Sequence, residues 1–107
     1  MAKLPSSFRA RNRTTREFRE QYARLPQNIQ ALTRDACVLF DRDPAHTSLR
    51  HHELEDRKAS KHVAGSFSVS ITMQYRAIYV VDPNDGMNIW YWIGTHAAYK
   101  RFTGSKK

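Results

Sequence analysis

Phe18, Tyr22 and Leu25 fall at spacings of four and three, the rhythm of a helix with one apolar face. Thr14-Thr15-Arg16-Glu17 just before them reads as a capping box, in which a Thr hydroxyl and Glu17 satisfy backbone donors at the helix start. Pro26 stands where a second helix can begin, because the missing N–H is not needed at the first helical position. Ile29, Leu32, Ala36, Leu39 and Phe40 continue the rhythm until Asp43-Pro44 ends it. Two successive helices joined near Leu25-Pro26 predict an αα-hairpin. The period then changes to two. Phe67, Val69, Ile71 and Met73 alternate with Ser66, Ser68, Ser70 and Thr72, a strand with one apolar and one hydroxyl face. Tyr75 to Val81 reads as a second strand, apolar on both faces except at Arg76, which the alternation sets opposite Tyr75, Ala77 and Tyr79. Asp82-Pro83-Asn84-Asp85-Gly86 is a turn. Met87 to Ile93 is a third strand, expected to carry Trp90 and Trp92 on one face and Ile89, Tyr91 and Ile93 on the other. Gly94-Thr95 caps a short final helix through Phe102. Residues 45–65 read as irregular and charged, with a short strand near Leu49–Leu54. The sum is an α+β fold, one domain over 1–107: an N-terminal αα-hairpin packed on a small antiparallel β-sheet, then a short C-terminal helix. Residues 1–13 are expected to form a basic, partly extended arm, and 103–107 a frayed tail.

Charge sharpens this picture. Eighteen Lys and Arg against ten Asp and Glu give a formal net charge of +8. Residues 1–24 and 95–107 carry the excess, while the middle is balanced. Basic ends suit a polyanion or an acidic protein partner; the plainer alternative is a solvated surface that keeps a small protein soluble. A single cysteine, Cys37, excludes an internal disulfide and a Cys-based zinc site, and its apolar helical setting predicts a buried thiol. No apolar run reads as a secretory signal or a membrane-spanning helix, so a cytoplasmic protein is expected.

Five histidines could move protons near neutral pH: His46, His51, His52, His62 and His96. His51 and His52 are adjacent, so on a strand they point to opposite faces and cannot enter one site together. His52, Glu53, His62 and His96 match no strong metal spacing, and no metal site is expected. His96 follows Gly94-Thr95 at a strand end, with Tyr99 three residues on along the same helical face; it is either a proton carrier there or a helix-start histidine that only hydrogen-bonds. Arg76 is a permanent cation in an apolar strand. It either pairs with an acid such as Glu53 or Asp56, or forks onto phosphate oxygens. Ser66, Ser68, Ser70 and Thr72 are either a solvated sheet face or the lining of a groove for a phosphodiester backbone. Trp90 and Trp92 are core or a base-stacking platform. Neither a serine-hydrolase elbow nor a glycine-rich phosphate loop occurs.

LPQNIQ at 25–30, DP at 43–44, SLRHHEL at 48–54, GSFSVSI at 65–71, YRAIY at 75–79 and WIGTHAAY at 92–99 together resemble the RelE/ParE superfamily of bacterial type II toxin–antitoxin toxins, over roughly residues 14–102. The resemblance implies ribosome-dependent mRNA cleavage, as in the RelE, YoeB, HigB and YafQ branches, by cofactor-free and metal-free attack of a ribose 2′-hydroxyl on the adjacent phosphate. It gives Arg76 the stabilisation of phosphate charge, His96 the acid or base, and Tyr99 a stacking or orienting role. Some members carry a basic residue where this chain has Ser68 and Ser70, and His52, Glu53 or His62 are the candidates to compensate. Arg50, Lys58, Lys61, Ser70, Lys100 and Arg101 are the candidate RNA contacts. The implied partners are an acidic cognate antitoxin, the ribosome and mRNA, with oligomers only through the antitoxin and no membrane. The alternatives are a ParE-type DNA gyrase inhibitor and a toxin-fold protein that binds without catalysis.

Overall fold

The computed structural model describes residues 6–105. A 3-10 turn, Ser6–Ala10, leads into β1, Asn12–Thr14, and then α1, Arg16–Ala23. The N-cap of α1 is Thr15, whose hydroxyl accepts from the Phe18 N–H at 3.1 Å. The second helix, α2, spans Gln27–Arg42, with Pro26 in the cap position just before it. Another 3-10 turn, Thr47–Leu49, precedes β2, His52–Glu53, the short strand expected in the charged middle. The remaining elements are β3, Phe67–Ser70; β4, Tyr75–Val81; β5, Asn88–Thr95; and α3, His96–Thr103. No helix among the described residues is long and apolar enough to cross a membrane.

The sheet order is β1-β5-β4-β3-β2. Four of these strands pair antiparallel, but β1 pairs parallel with β5, Asn12 opposite Asn88 and Thr14 opposite Trp90, so the sheet is mixed. This corrects the reading of residues 1–13 as an extended arm; residues 1–5 lie outside the described ones. Phe8 is buried in the core. The buried Asn12 amide donates to the Phe8 carbonyl at 2.8 Å, and its oxygen accepts from Trp90 Nε1 at 2.8 Å and Asn88 Nδ2 at 3.0 Å. A buried amide with all these partners met replaces hydrophobic alternation as the signal that docks this strand. On the surface, Arg13 forks onto Asp82 at 2.7 Å and Asp85 at 2.6 Å, tying β1 to the β4–β5 turn.

Both sheet faces are covered. On one, Phe18 and Tyr22 of α1 and Ala36, Cys37 and Phe40 of α2 pack with Phe8, Leu49, Val69, Ala77, Tyr79, Trp90 and Ile93. Burial pushes the Cys37 thiol up to about 12, so it stays neutral. The two helices are coupled at their joint by Gln30, whose amide donates to the carbonyls of Tyr22, Ala23 and Leu25. Leu32 is exposed rather than buried; Ile29, Gln30, Thr33, Ala36, Cys37 and Phe40 make up the inner face. On the other face, Leu54, Ile78, Trp92 and Tyr99 form a second cluster with Tyr91, Ala98 and Phe102.

Trp90 and Trp92 therefore lie on opposite faces, contrary to a strict period of two. Ile78 pairs with Trp92 but Tyr79 pairs with Trp90, so Tyr91 is an extra residue on β5. A β-bulge of this kind inverts the facing of everything beyond it. Tyr91 uses the bulge to anchor the charged segment: its hydroxyl accepts from the Val63 N–H at 3.0 Å and shares a 2.6 Å hydrogen bond with Ser66 Oγ. The segment and α3 together cover the serine face, so Ser66, Ser68 and Ser70 are buried instead of solvated. Thr103, expected in a frayed tail, is buried at the end of α3, where Gly104 (φ 70°) closes the helix; residues 106–107 lie outside the described ones.

His51 faces the helix side, as adjacency to His52 requires. It packs against Phe40, Phe67 and Tyr79, and its Nε2 is 2.7 Å from the Tyr79 hydroxyl. Burial pushes Tyr79 up to about 12 and lowers His51 below its ordinary value. The unfolded chain then binds the extra proton first, so the contribution of His51 is present above about pH 6.5 and is lost as pH falls through its folded value. Thermal melts from pH 7.5 to pH 5 should show a falling Tm in wild type and a shallower fall in His51→Gln. Parallel slopes would show that His51 does not drive the acid sensitivity.

Candidate functional site

A cleft of about 310 Å³ opens on the α3 side of the sheet. One wall is β2 and the chain after it: His52, Glu53, Leu54, Glu55 and Arg57. The other is α3 and its end: Tyr99, Thr103 and Ser105. Arg76 also lines it, projecting from the sheet. The local rules that place these groups are simple. Arg76 shares the β4 face of Ile78, the face on which α3 packs. Thr95 caps α3 by accepting from the Ala98 N–H at 3.2 Å, which sets His96 in the first turn and Tyr99 one turn later. His96 is further held by its backbone N–H, which donates to the Gln74 carbonyl at 2.7 Å.

Arg76 lies over Tyr99, with Cζ 4.9 Å from the ring centroid, a distance at which the ring quadrupole attracts a cation. His96 lies nearly parallel to the same ring, with centroids 5.9 Å apart and planes at 22°. Tyr99 thus joins the two groups singled out for phosphate charge and proton transfer. No carboxylate among the described residues makes an ion pair with Arg76. Its Nε is buried without a hydrogen-bond partner. Asp56, one of its expected partners, instead has Oδ1 3.4 Å from His62 Nε2.

His52 reaches the cleft with its tautomer defined. Its Nδ1 is 2.7 Å from the Arg50 carbonyl, which can only accept, so Nδ1 carries the proton and Nε2 of the neutral ring keeps a free lone pair. Arg50 offers that carbonyl from a left-handed backbone (φ 45°). Glu53 stands beside His52 and is exposed. Neither His96 nor His62 is among the residues lining the cleft; His96 stacks on Tyr99 at the cleft's edge, and the side chain of His62, itself part of the charged segment, is fully buried. Lys58, Lys61 and Arg101 are exposed and Lys100 is half-buried, while Ser70 is buried with Oγ unpartnered, so it presents no surface to an RNA strand. No three His, Cys, Asp or Glu among the described residues gather at metal-binding distance.

The sequence reading did not include Arg57, Thr103 and Ser105 in this site. Thr103 had a usable signal, lying four residues after Tyr99 and so on the same face of α3. Arg57 and Ser105 had none, because their positions depend on how the charged segment folds back. Arg57 is already paired with Glu55 at 3.1 Å, an exposed bridge that contributes little.

No family model matches the chain, and no curated protein matches it in sequence. Solved structures do share its fold. YafQ from E. coli strain BL21(DE3) superposes with a TM-score of 0.60 at 16% identity, over 80% of this chain and 92% of that one. The RelBE2 toxin–antitoxin complex from Mycobacterium tuberculosis gives 0.59 at 22% identity, over 78% and 94%. The archaeal RelE–RelB complex from Pyrococcus horikoshii gives 0.55 at 13% identity, over 79% and 94%.

Proposed function

We propose, starting from the fact that the chain has the RelE-type toxin fold, that it is the toxin of a toxin–antitoxin pair and cleaves mRNA in the translating ribosome of the cytoplasm. The observation that carries this reading is Arg76: a guanidinium without a carboxylate, with an unpartnered Nε, laid on Tyr99 in a cleft beside His52. A cation in that state suits a phosphate. His52 Nε2 takes the proton of the ribose 2′-hydroxyl as that oxygen attacks the adjacent phosphorus. Arg76 stabilises the charge that builds on the non-bridging oxygens, and His96 protonates the departing 5′-oxygen. Tyr99 holds Arg76 and His96 in register. The products are a 2′,3′-cyclic phosphate and a free 5′-hydroxyl, and the step needs no metal. With a net charge of +8, the chain suits an acidic antitoxin that orders itself over the cleft.

Primer extension on one mRNA, with and without translating ribosomes, tests the reading. Codon-phased cuts only in the translating reaction are expected. Absence of cuts in both, from folded protein, sinks it and shifts attention to gyrase. His52→Ala should slow cleavage by roughly 10²-fold, the usual scale of a general base. His62→Ala should leave the rate within about threefold per folded molecule, because general-base catalysis requires hydrogen-bond reach of the substrate proton. The reverse ranking would reject His52 as the base.

A further inference from the structure

Five buried side-chain polar atoms among the described residues lack a hydrogen-bond partner, and three of them, Ser68 Oγ, Ser70 Oγ and Arg76 Nε, cluster on the cleft side of the sheet. Ser70 is the direct cross-strand partner of Arg76, and Ser68 that of Ile78. Directly opposite residues on antiparallel strands hold their Cβ atoms about 4.5–5.5 Å apart on one face. A serine hydroxyl sits one bond beyond its Cβ. Rotation about the bonds of these two side chains is the movement that would bring Ser70 Oγ onto the inner N–H of the guanidinium. Buried donors and acceptors are paired almost everywhere else in proteins. Here a donor and an acceptor stand side by side, both unmet, while the guanidinium rests on the Tyr99 ring.

We infer that Ser70 is a positioning residue for Arg76: when an anion occupies the cleft, the Ser70 hydroxyl accepts from Arg76 Nε and fixes the guanidinium with both terminal amino groups turned to the anion. The inference rests on the reading of the cleft as a phosphate site. Its logic is that of a fork held at its stem, which loses less freedom for each hydrogen bond it forms. It also accounts for a neutral side chain at this position: a second cation beside Arg76 would repel it, whereas a hydroxyl orients it. Ser68 is the natural control. It is equally small, buried and unpartnered, but it faces Ile78 on one side and His52 on the other.

The test follows the Arg76 Nε–H resonance by NMR in the full chain during titration with inorganic phosphate. In wild type, phosphate should slow exchange of that proton with water by about tenfold or more, the scale of one hydrogen bond to a charged group. Ser70→Ala should lose the slowing and bind phosphate several-fold more weakly. Ser70→Thr, which keeps the hydroxyl, should restore both, and Ser68→Ala should behave as wild type. Equal protection in Ser70→Ala overturns the proposal. So does an equal loss in Ser68→Ala, or the absence of any phosphate-dependent change at Arg76 in wild type. The readout needs neither RNA nor ribosome, so a wild-type chain that fails to cut mRNA would sink the nuclease reading without deciding this one.

Discussion

Arg76→Ala is expected to cleave ribosome-bound mRNA about 10²–10³-fold more slowly than wild type, the usual effect of removing one group that stabilises transition-state charge. The loss should fall mainly on kcat, because in the proposed reaction the charge that Arg76 meets grows as the 2′-oxygen attacks. The fold should survive. Removing the side chain forfeits its packing on Tyr99, but it also removes a cation whose Nε is buried without a partner. These two effects oppose each other, so Tm should move by only a few degrees. Arg76→Lys should recover a small part of the rate, since an ammonium keeps the charge without the planar fork. Single-turnover primer extension at saturating ribosomes reads the effect directly. An alanine variant with wild-type kcat would show that Arg76 has no part in the chemistry.

The largest loss of stability is expected at Trp90. Its ring meets Phe8, Phe18, Phe40 and Tyr79, with centroids 5.8, 6.5, 5.2 and 4.6 Å away. It therefore joins the first 3-10 turn, α1, α2 and the sheet in one contact set. Trp90→Ala should cost about 3–5 kcal/mol, as large aromatic truncations in a core do. That is a large share of the roughly 5–15 kcal/mol available to a domain. Trp90→Phe should cost less, yet more than its lost volume alone, because Asn12 Oδ1 loses the Nε1–H donor at 2.8 Å. Urea denaturation of the three proteins gives the ranking. A cost below about 1 kcal/mol for Trp90→Ala would mean that the neighbouring rings close the gap by themselves.

The elements with strong period were legible in the sequence. The helical spacing through Phe18 and Tyr22, the alternation through Val69, and the Thr95 cap all correspond to observed elements. The meeting of Arg76 and Tyr99 was not legible, because it depends on which sheet face α3 covers, and no spacing states that. Three further features were not legible, each for a physical reason. β1 has too few residues for a period, and a buried amide holds it rather than an apolar face. The bulge at Tyr91 adds one residue to β5 without altering composition, so Trp90 and Trp92 part company unannounced. Ser66, Ser68 and Ser70 read as a wet face because hydroxyls are polar; the cover over them comes from the irregular segment after β2, whose path no spacing describes. In the candidate site, the same folding back brings Arg57 to the cleft and hides His62.

The parallel pairing of β1 with β5 also sets a clock. Asn12 is made well before Asn88 and Trp90, which donate to its amide oxygen and lie 76 and 78 positions further along. Tyr99 and Thr103, which wall the cleft, are later still. A growing chain can wind α1 and α2 as it emerges, but it cannot close its sheet or shape its cleft until these late residues have cleared the exit tunnel. If the mature protein attacks translating ribosomes, the ribosome making it is shielded by that delay: the cleft takes shape only after everything from Asn12 to Thr103 has been made.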